Sequence, residues 1–369
     1  MDTPPSVDKT DQSADPDGLP GRIRPSLAVT RDVALIGAVA IWGLWAGSGF
    51  LVPLVVALLL FVLIIAVADR AQELVPMPGW VASLLGAAVV MAGLSLVFYI
   101  LASQATSFVR VTAGYETEID DAMHRLAALL GNELAAFLRD TIVEIDMGAL
   151  ARSSFGGVTF LFNSFMLIVL YIGFLLAERL AFRHKIAMAA ASPLLGAELT
   201  MMTDAISVSL QRYVGVKTFV SAVTAGISYA VFRFLGLEFP ETWAVLTFAL
   251  NFIPSIGSII AVIFPALVAL LQFETLTPFI IIVLGCGTIQ FVIGNFVDPA
   301  MLGRTLNMST FMVMVALTFW STLWGVIGAF LSVPVTVCIL IVMSHVPGLR
   351  PVAILMSQDG RLESGPPRR

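Results

Sequence analysis

Eight times between residues 32 and 343 the chain enters an apolar run with few charges inside it, close to the ~20 residues a helix needs to cross a bilayer. The runs cover 32–50, 51–68, 80–103, 155–177, 214–237, 242–273, 278–297 and 311–343. A water-soluble fold could not hide them all: 58% of the 369 residues are hydrophobic and 12% charged, against about 45–50% and about 25% in soluble domains. The expectation is an all-α, polytopic membrane protein with about eight transmembrane helices. The first two runs are nearly continuous, and Gly47, Gly49 and Pro53 predict a tight turn between them.

Between the runs the sequence divides as follows. Residues 1–31 are polar and rich in Pro and Asp, which predicts a disordered tail. Helices 1–3 fill 32–103. The stretch 104–154 sets carboxylates such as Glu116, Asp120 and Asp140 among Met123, Leu126, Leu129 and Leu130 at helical spacing, which predicts an amphipathic extracytoplasmic insertion. Helix 4 follows at 155–177, a second amphipathic segment, cytoplasmic, at 178–213, helices 5–8 within 214–343, and a cytoplasmic tail at 344–369. With eight crossings and both termini in the cytoplasm, only Arg110, Arg125, Arg139, Arg152, Arg233 and Arg304 of the 20 basic residues fall outside. That bias is the one expected of an inner-membrane protein in this orientation.

Run 242–273 is longer than one crossing needs and carries Asn251, Pro254 and Gly257 in its middle. Proline removes a backbone donor and glycine frees the conformations that follow, so the helix is expected to break there. Broken backbone at membrane depth is tolerated where it is buried in protein or lines a wet cavity, which makes the break a pointer to a substrate path. A full crossing with a break is preferred over a re-entrant hairpin, because one hairpin would export the basic carboxyl tail. A second polar concentration runs through Gln290, Asn295, Asp298 and Arg304. There Asp298 and Arg304 can pair, and the two amides can meet a hydroxylated solute.

Ion coupling by Na⁺ or H⁺ would need a titratable group; Asp298 is the first candidate, then Lys217 or Glu241. Lys217 lies four residues inside its run, where snorkelling to water is the stronger reading, and Glu241 sits in a polar turn beside Pro240. Small residues at Gly325, Gly328, Ala329 and Ser332 predict close helix packing, and a homo-oligomer is expected without a copy number. His124, His184 and His345 have no metal-ligand spacing, and no P-loop, Gly-x-Ser-x-Gly or nucleotide fingerprint occurs. No enzyme, cofactor or metal is implied. A net charge of −5 with no basic face gives no reason to expect nucleic acid.

The run Tyr213-Val-Gly-Val-Lys217-Thr218 with Ser221, Thr224 and Gly226, then Trp243 and Asn251-Phe-Ile-Pro254-Ser-Ile-Gly257-Ser258, resembles the autoinducer-2 exporter (AI-2E) family. So does Gly294-Asn295 with Asp298-Pro299 through Gly303-Arg304, followed by Phe319-Trp320, Leu323-Trp324-Gly325, Gly328 and Val333-Pro334. The resemblance covers roughly residues 33–357. It implies about eight spans, a soluble insertion after the third, and export of small hydrophilic molecules such as autoinducer-2; cation/proton antiport is associated with some members. Asp298 stands where many members have Glu, and Thr310 where a Pro is usual. Two other readings stay open: a cation/proton antiporter, and a non-transporting oligomeric scaffold or pore.

Overall fold

The computed structural model describes residues 27–112, 163–179, 181, 185, 188, 192–302 and 307–360. Among them every regular element is helical: α1 (Leu27–Ala46), α2 (Ser48–Leu74), α3 (Gly79–Thr112), α4 (163–179), α5 (Pro193–Leu235), α6 (Pro240–Leu250), α7 (Ile256–Gln272), α8 (Thr277–Leu302), α9 (Thr310–His345) and α10 (Arg350–Met356). Of these, α2, α3, α5, α8 and α9 include stretches long and apolar enough to cross a membrane. Large apolar side chains such as Leu84, Phe219, Phe234 and Phe291 are exposed, as lipid-facing residues are. The all-α membrane fold expected from the sequence is what the chain adopts. All but the first nine residues of the 104–154 insertion, and the start of the 155–177 run, lie outside the described residues.

The chain divides into two units, residues 1–46 and 47–369. The first contributes α1, which ends at Ala46. In the second, α2 begins at Ser48 after Gly47, so the helix break falls at Gly47 alone and Pro53 lies inside α2. Helices α2, α3 and α4 share an apolar core of Ala57, Ile64, Val90, Ile168 and Ile172. Gly86 lets α3 approach closely, since a Cβ there would stand 2.6 Å from the Ile64 carbonyl.

Helix α5 is continuous from the polar stretch before Tyr213 into the apolar run after it. Ser192 caps its start by accepting from the Leu195 amide, Pro193 takes the first turn, and Gly236 ends it in the left-handed conformation at φ 73°.

The expected break at Asn251–Gly257 is present, between α6 and α7, but the preferred full crossing is corrected: the two helices fold back as a hairpin. Trp243 of α6 stacks on Phe264 of α7 with ring centroids 6.5 Å apart. At the base, Gln272 accepts from the Glu238 amide and donates to the Gly236 carbonyl, both at 2.8 Å, tying the end of α7 to the start of α6. Eleven-residue α6 is about 16 Å long, half the hydrocarbon thickness of about 30 Å. Gly257 permits the reversal, because a Cβ there would stand 1.8 Å from the Leu250 carbonyl oxygen. At the tip, Ser255 has φ 59° and ψ −55°, and the Ile256 amide donates to the Pro254 carbonyl at 2.6 Å. This is a strained γ-turn that few L-residues adopt. Ser255→Gly is expected to stabilise the protein by about 1 kcal/mol, the relieved strain exceeding the added chain entropy; thermal unfolding in detergent reads it as a raised midpoint.

The last run, expected as one crossing, is also corrected to a hairpin. Trp320 and Thr336 are 16 residues apart, yet the Trp320 indole N–H donates to the Thr336 hydroxyl at 3.0 Å; in an unbroken helix they would be separated by about 24 Å. Gly325, at φ 62° and ψ −145°, supplies the reversal in a region open essentially to glycine alone. The ends meet again at the base: the Ser309 amide donates to the Met356 carbonyl at 3.1 Å and the Gln358 amide to the Asn307 carbonyl at 3.2 Å. Ser309 caps α9 by accepting from the Met312 amide, so the absent proline at 310 leaves the helix with a defined start. Trp320→Phe removes the cross-arm hydrogen bond and is expected to cost about 1 kcal/mol, read by the same melt. The tip of the α6–α7 hairpin inserts against α9, where Ile253 packs with Leu317 and Ala329, and Phe252 with Phe330 at a ring separation of 4.6 Å.

Candidate functional site

Helix α5 carries a polar stripe through an otherwise apolar crossing. Tyr213, Lys217, Ser221, Thr224 and Ser228 recur at helical spacing on one face, and all five are buried. Lys217 is only 8% exposed. Its ammonium donates to Asp298 Oδ2 of α8 and, at 3.1 Å, to the Asn251 carbonyl at the end of α6. Asn251 in turn donates through Nδ2 to Ser221 Oγ at 3.1 Å, one turn along α5 from Lys217. Two charges and one broken helix end are thereby joined across three helices. Lys217 therefore does not snorkel to water, because an anion and a helix-end carbonyl are available inside and hold its three-donor head.

The cluster keeps unused hydrogen-bonding capacity. Among the described residues, Asp298 Oδ1, the Tyr213 hydroxyl, the Thr247 hydroxyl and both amide atoms of Gln290 are buried without a partner. Buried polar groups are nearly always satisfied in native structures, so five such atoms along α5, α6 and α8 are a local departure that calls for a ligand or water.

Helix α8 presents its share of the site through an irregularity. It contains two π-helical turns, Ile282–Cys286 and Ile293–Val297. In an unbroken α-helix, eight residues of separation would set Gln290 and Asp298 about 80° apart around the axis; a π-turn absorbs one residue and brings them to within about 20° of each other. The second π-turn is thus what puts the amide and the carboxylate on one face.

Of the residues singled out in the sequence, Asn251, Asp298 and Lys217 meet directly, and Gln290 is buried on the same face of α8 as Asp298. Pro254 and Gly257 shape the hairpin tip. Asn295 is exposed and donates to the Phe291 carbonyl, so it stays outside the cluster. Glu241 accepts from the Tyr229 hydroxyl at 3.3 Å near the other end of α6. The expected Asp298–Arg304 pair involves a residue outside the described ones, and the Asp298 carboxylate is engaged by Lys217. Sequence reasoning missed Thr247 and Ser228. The signal available for Ser228 was the spacing of polar residues through the apolar run 214–237, each a helical turn from the last. On the opposite face of α5 a groove of ≈ 730 Å³ is lined by Asp69, Arg70, Glu73, Gln211 and Arg212 among others, and includes none of the cluster residues.

Residues 34–348 match the model of the AI-2E family transporters. The chain belongs to the AI-2E transporter family. It is 31% identical to a transport protein of Haemophilus influenzae over 87% of this chain and 95% of that protein. It is 31% identical to a transport protein of Borreliella burgdorferi over 61% of this chain and 66% of the relative. With the AI-2 transport protein TqsA of Escherichia coli it shares 33% identity over 53% of this chain and 56% of TqsA. As an AI-2E family protein it is a multi-pass membrane transporter, and the buried Lys217–Asp298 pair lies within the matched region.

Proposed function

We propose that this transporter exports a small hydrophilic solute across the bacterial inner membrane, with the Lys217–Asp298 pair as its ion-responsive latch. The observation that carries the reading is the buried pair fastened to the hairpin tip at Asn251. An ionised pair inside a membrane span is costly and marks an ion or substrate pathway. A proton on Asp298, or a monovalent cation on its carboxylate, releases Lys217 from its acceptor and so unfastens α5 from α8. Asn251 is wired into this polar cluster, which favours transport over a scaffold whose break would be packed dry among apolar neighbours. TqsA's name makes autoinducer-2 the first solute to test.

The test is efflux from proteoliposomes loaded with autoinducer-2 or small diols, under imposed H⁺ or Na⁺ gradients, comparing wild type with Asn251→Ala and Asp298→Asn. Loss of gradient-driven flux in both variants is expected. Unchanged fluxes in both overturn the site assignment.

A cation/proton antiporter is the second reading, favoured by the way the Lys217 ammonium sits between a carboxylate and a backbone carbonyl, ligands that suit a monovalent cation. It predicts pH-dependent Na⁺ or K⁺ exchange with no added organic solute, abolished in Asp298→Asn. Both termini are read as cytoplasmic, because replacing two of the eight expected crossings by two hairpins keeps the crossing number even, as the positive-inside bias requires. A homo-oligomer remains part of the proposal, tested by the mass of the purified complex.

A further inference from the structure

We propose that Thr247 and Gln290, beside Thr224, form an uncharged binding station at the middle of the bilayer for hydroxyl groups of the transported solute. The inference rests on the transport reading above and adds a location and a ligand chemistry to it.

Two contacts set the register of α5 against α8. Lys217 pairs with Asp298, and the Ser228 side chain lies beside the Cys286 thiol. As numbers rise on α5 they fall on α8, so the helices are antiparallel, and Gln290, between Cys286 and Asp298, comes level with Thr224. On α6, Asn251 is fixed to Ser221 and Glu241 to Tyr229, which brings Thr247, between them, to the same level. Gln290 is 5% exposed and Thr247 1%. Neither side chain has a hydrogen-bond partner among the described residues.

Depth follows from α5 itself. Exposed Arg212 and Arg233 bracket its apolar stretch, and 21 residues at about 1.5 Å each span about 30 Å, one hydrocarbon thickness. Thr224 lies about 18 Å from the Arg212 level and about 14 Å from the Arg233 level on the same measure. Lys217 and Asp298 lie nearer the Arg212 end, so the charged pair stands between the station and that face.

The chemistry selects the ligand class. A carboxamide offers two donors and an acceptor, and a threonine hydroxyl both donates and accepts, without any net charge. Two or more hydroxyl groups of one solute, each both donor and acceptor, can meet all three atoms; a carboxylate or ammonium would arrive there without a counter-charge. The ligand is therefore a neutral polyol or hydrated carbonyl.

The experiment uses full-length protein in proteoliposomes with Cys286→Ala and Cys338→Ala as background. Thr247→Cys, Gln290→Cys and Thr224→Cys are each exposed to a charged, water-soluble methanethiosulfonate, with Ala266→Cys in the apolar core as the dry reference. Modification of Thr247→Cys and Gln290→Cys at least tenfold faster than the reference is expected, slowed severalfold by autoinducer-2, erythritol or xylitol. Rates equal to the reference overturn the station. Fast modification that none of the polyols slows overturns the assignment to solute and leaves a water passage. In an intact background, Gln290→Met is expected to raise KM for efflux at least fivefold with kcat within twofold, whereas the latch variants lose kcat. A loss of kcat alone in Gln290→Met also counts against a binding role. Failure of Asp298→Asn to alter flux would sink the latch while the cysteine rates still judge the station.

Discussion

Replacing Lys217 by Met, or Asp298 by Asn, is expected to destabilise the protein by about 3–5 kcal/mol, the usual result of stripping one partner from a buried ion pair. The side chains of the pair are 10% and 14% exposed, so water offers little compensation. In Lys217→Met the Asp298 carboxylate is left with both oxygens unpaired; in Asp298→Asn the ammonium keeps the Asn251 carbonyl but loses its counter-charge. The double variant Lys217→Met with Asp298→Asn is expected to be more stable than either single variant, because no unpaired charge remains. Unfolding in mixed detergent micelles, read by tryptophan fluorescence, measures all four forms. Strict additivity of the two single effects would show that the pair carries no coupling energy. Transport is expected to stay absent in the stable double variant, which separates the latch's role in function from its role in holding the fold.

The second large effect concerns two glycines. A Cβ at Gly257 would lie 1.8 Å from the Leu250 carbonyl oxygen, and one at Gly328 would lie 1.9 Å from the Trp320 carbonyl oxygen. Neither obstacle is the end of a flexible side chain. Gly257→Ala and Gly328→Ala must each spread a hairpin, at a cost of about 3 kcal/mol, the upper part of the range for overpacking. Gly226→Ala provides the contrast: nothing lies within 4 Å of its Cβ position in α5, and a gain of roughly 0.5–1 kcal/mol is expected from helix propensity. The yield of monodisperse protein and its melting midpoint test all three. Equal behaviour of Gly226→Ala and Gly328→Ala would contradict the close approach.

The membrane character and the helix break at Asn251 could be read from the chain because they depend on local composition: long apolar runs, and Pro and Gly in one of them. Fold-back could not be read in the same way. A 32-residue apolar run fits a long crossing and a hairpin equally; what decides is whether Gln272 finds the backbone of Gly236 and Glu238, a contact 36 residues away from the first of these. The run after Thr310 was harder still, since Gly325 and Gly328 carry the same signature as any small-residue packing face. Lys217 and Asp298 were both legible as unusual residues, but their partnership spans 81 positions. The sequence alone left Lys217 the option of reaching water. The place of Gln290 beside Asp298 depends on a π-turn, which has no residue signature that marks it in one sequence.

The arrangement of the two hairpins has a geometric consequence. A long helix followed by a hairpin occurs twice, first as α5 with α6–α7 and again as α8 with α9. Because α5 and α8 run antiparallel, the second unit is the first turned over, an inverted repeat about an axis in the membrane plane. In such an arrangement each hairpin is rooted at the opposite end of the long helices, and their tips overlap at Phe252 and Phe330. The Phe252–Phe330 contact is the place where the two hairpins hold each other, while each is tied at its own root, by Gln272 in the first and by Ser309 in the second.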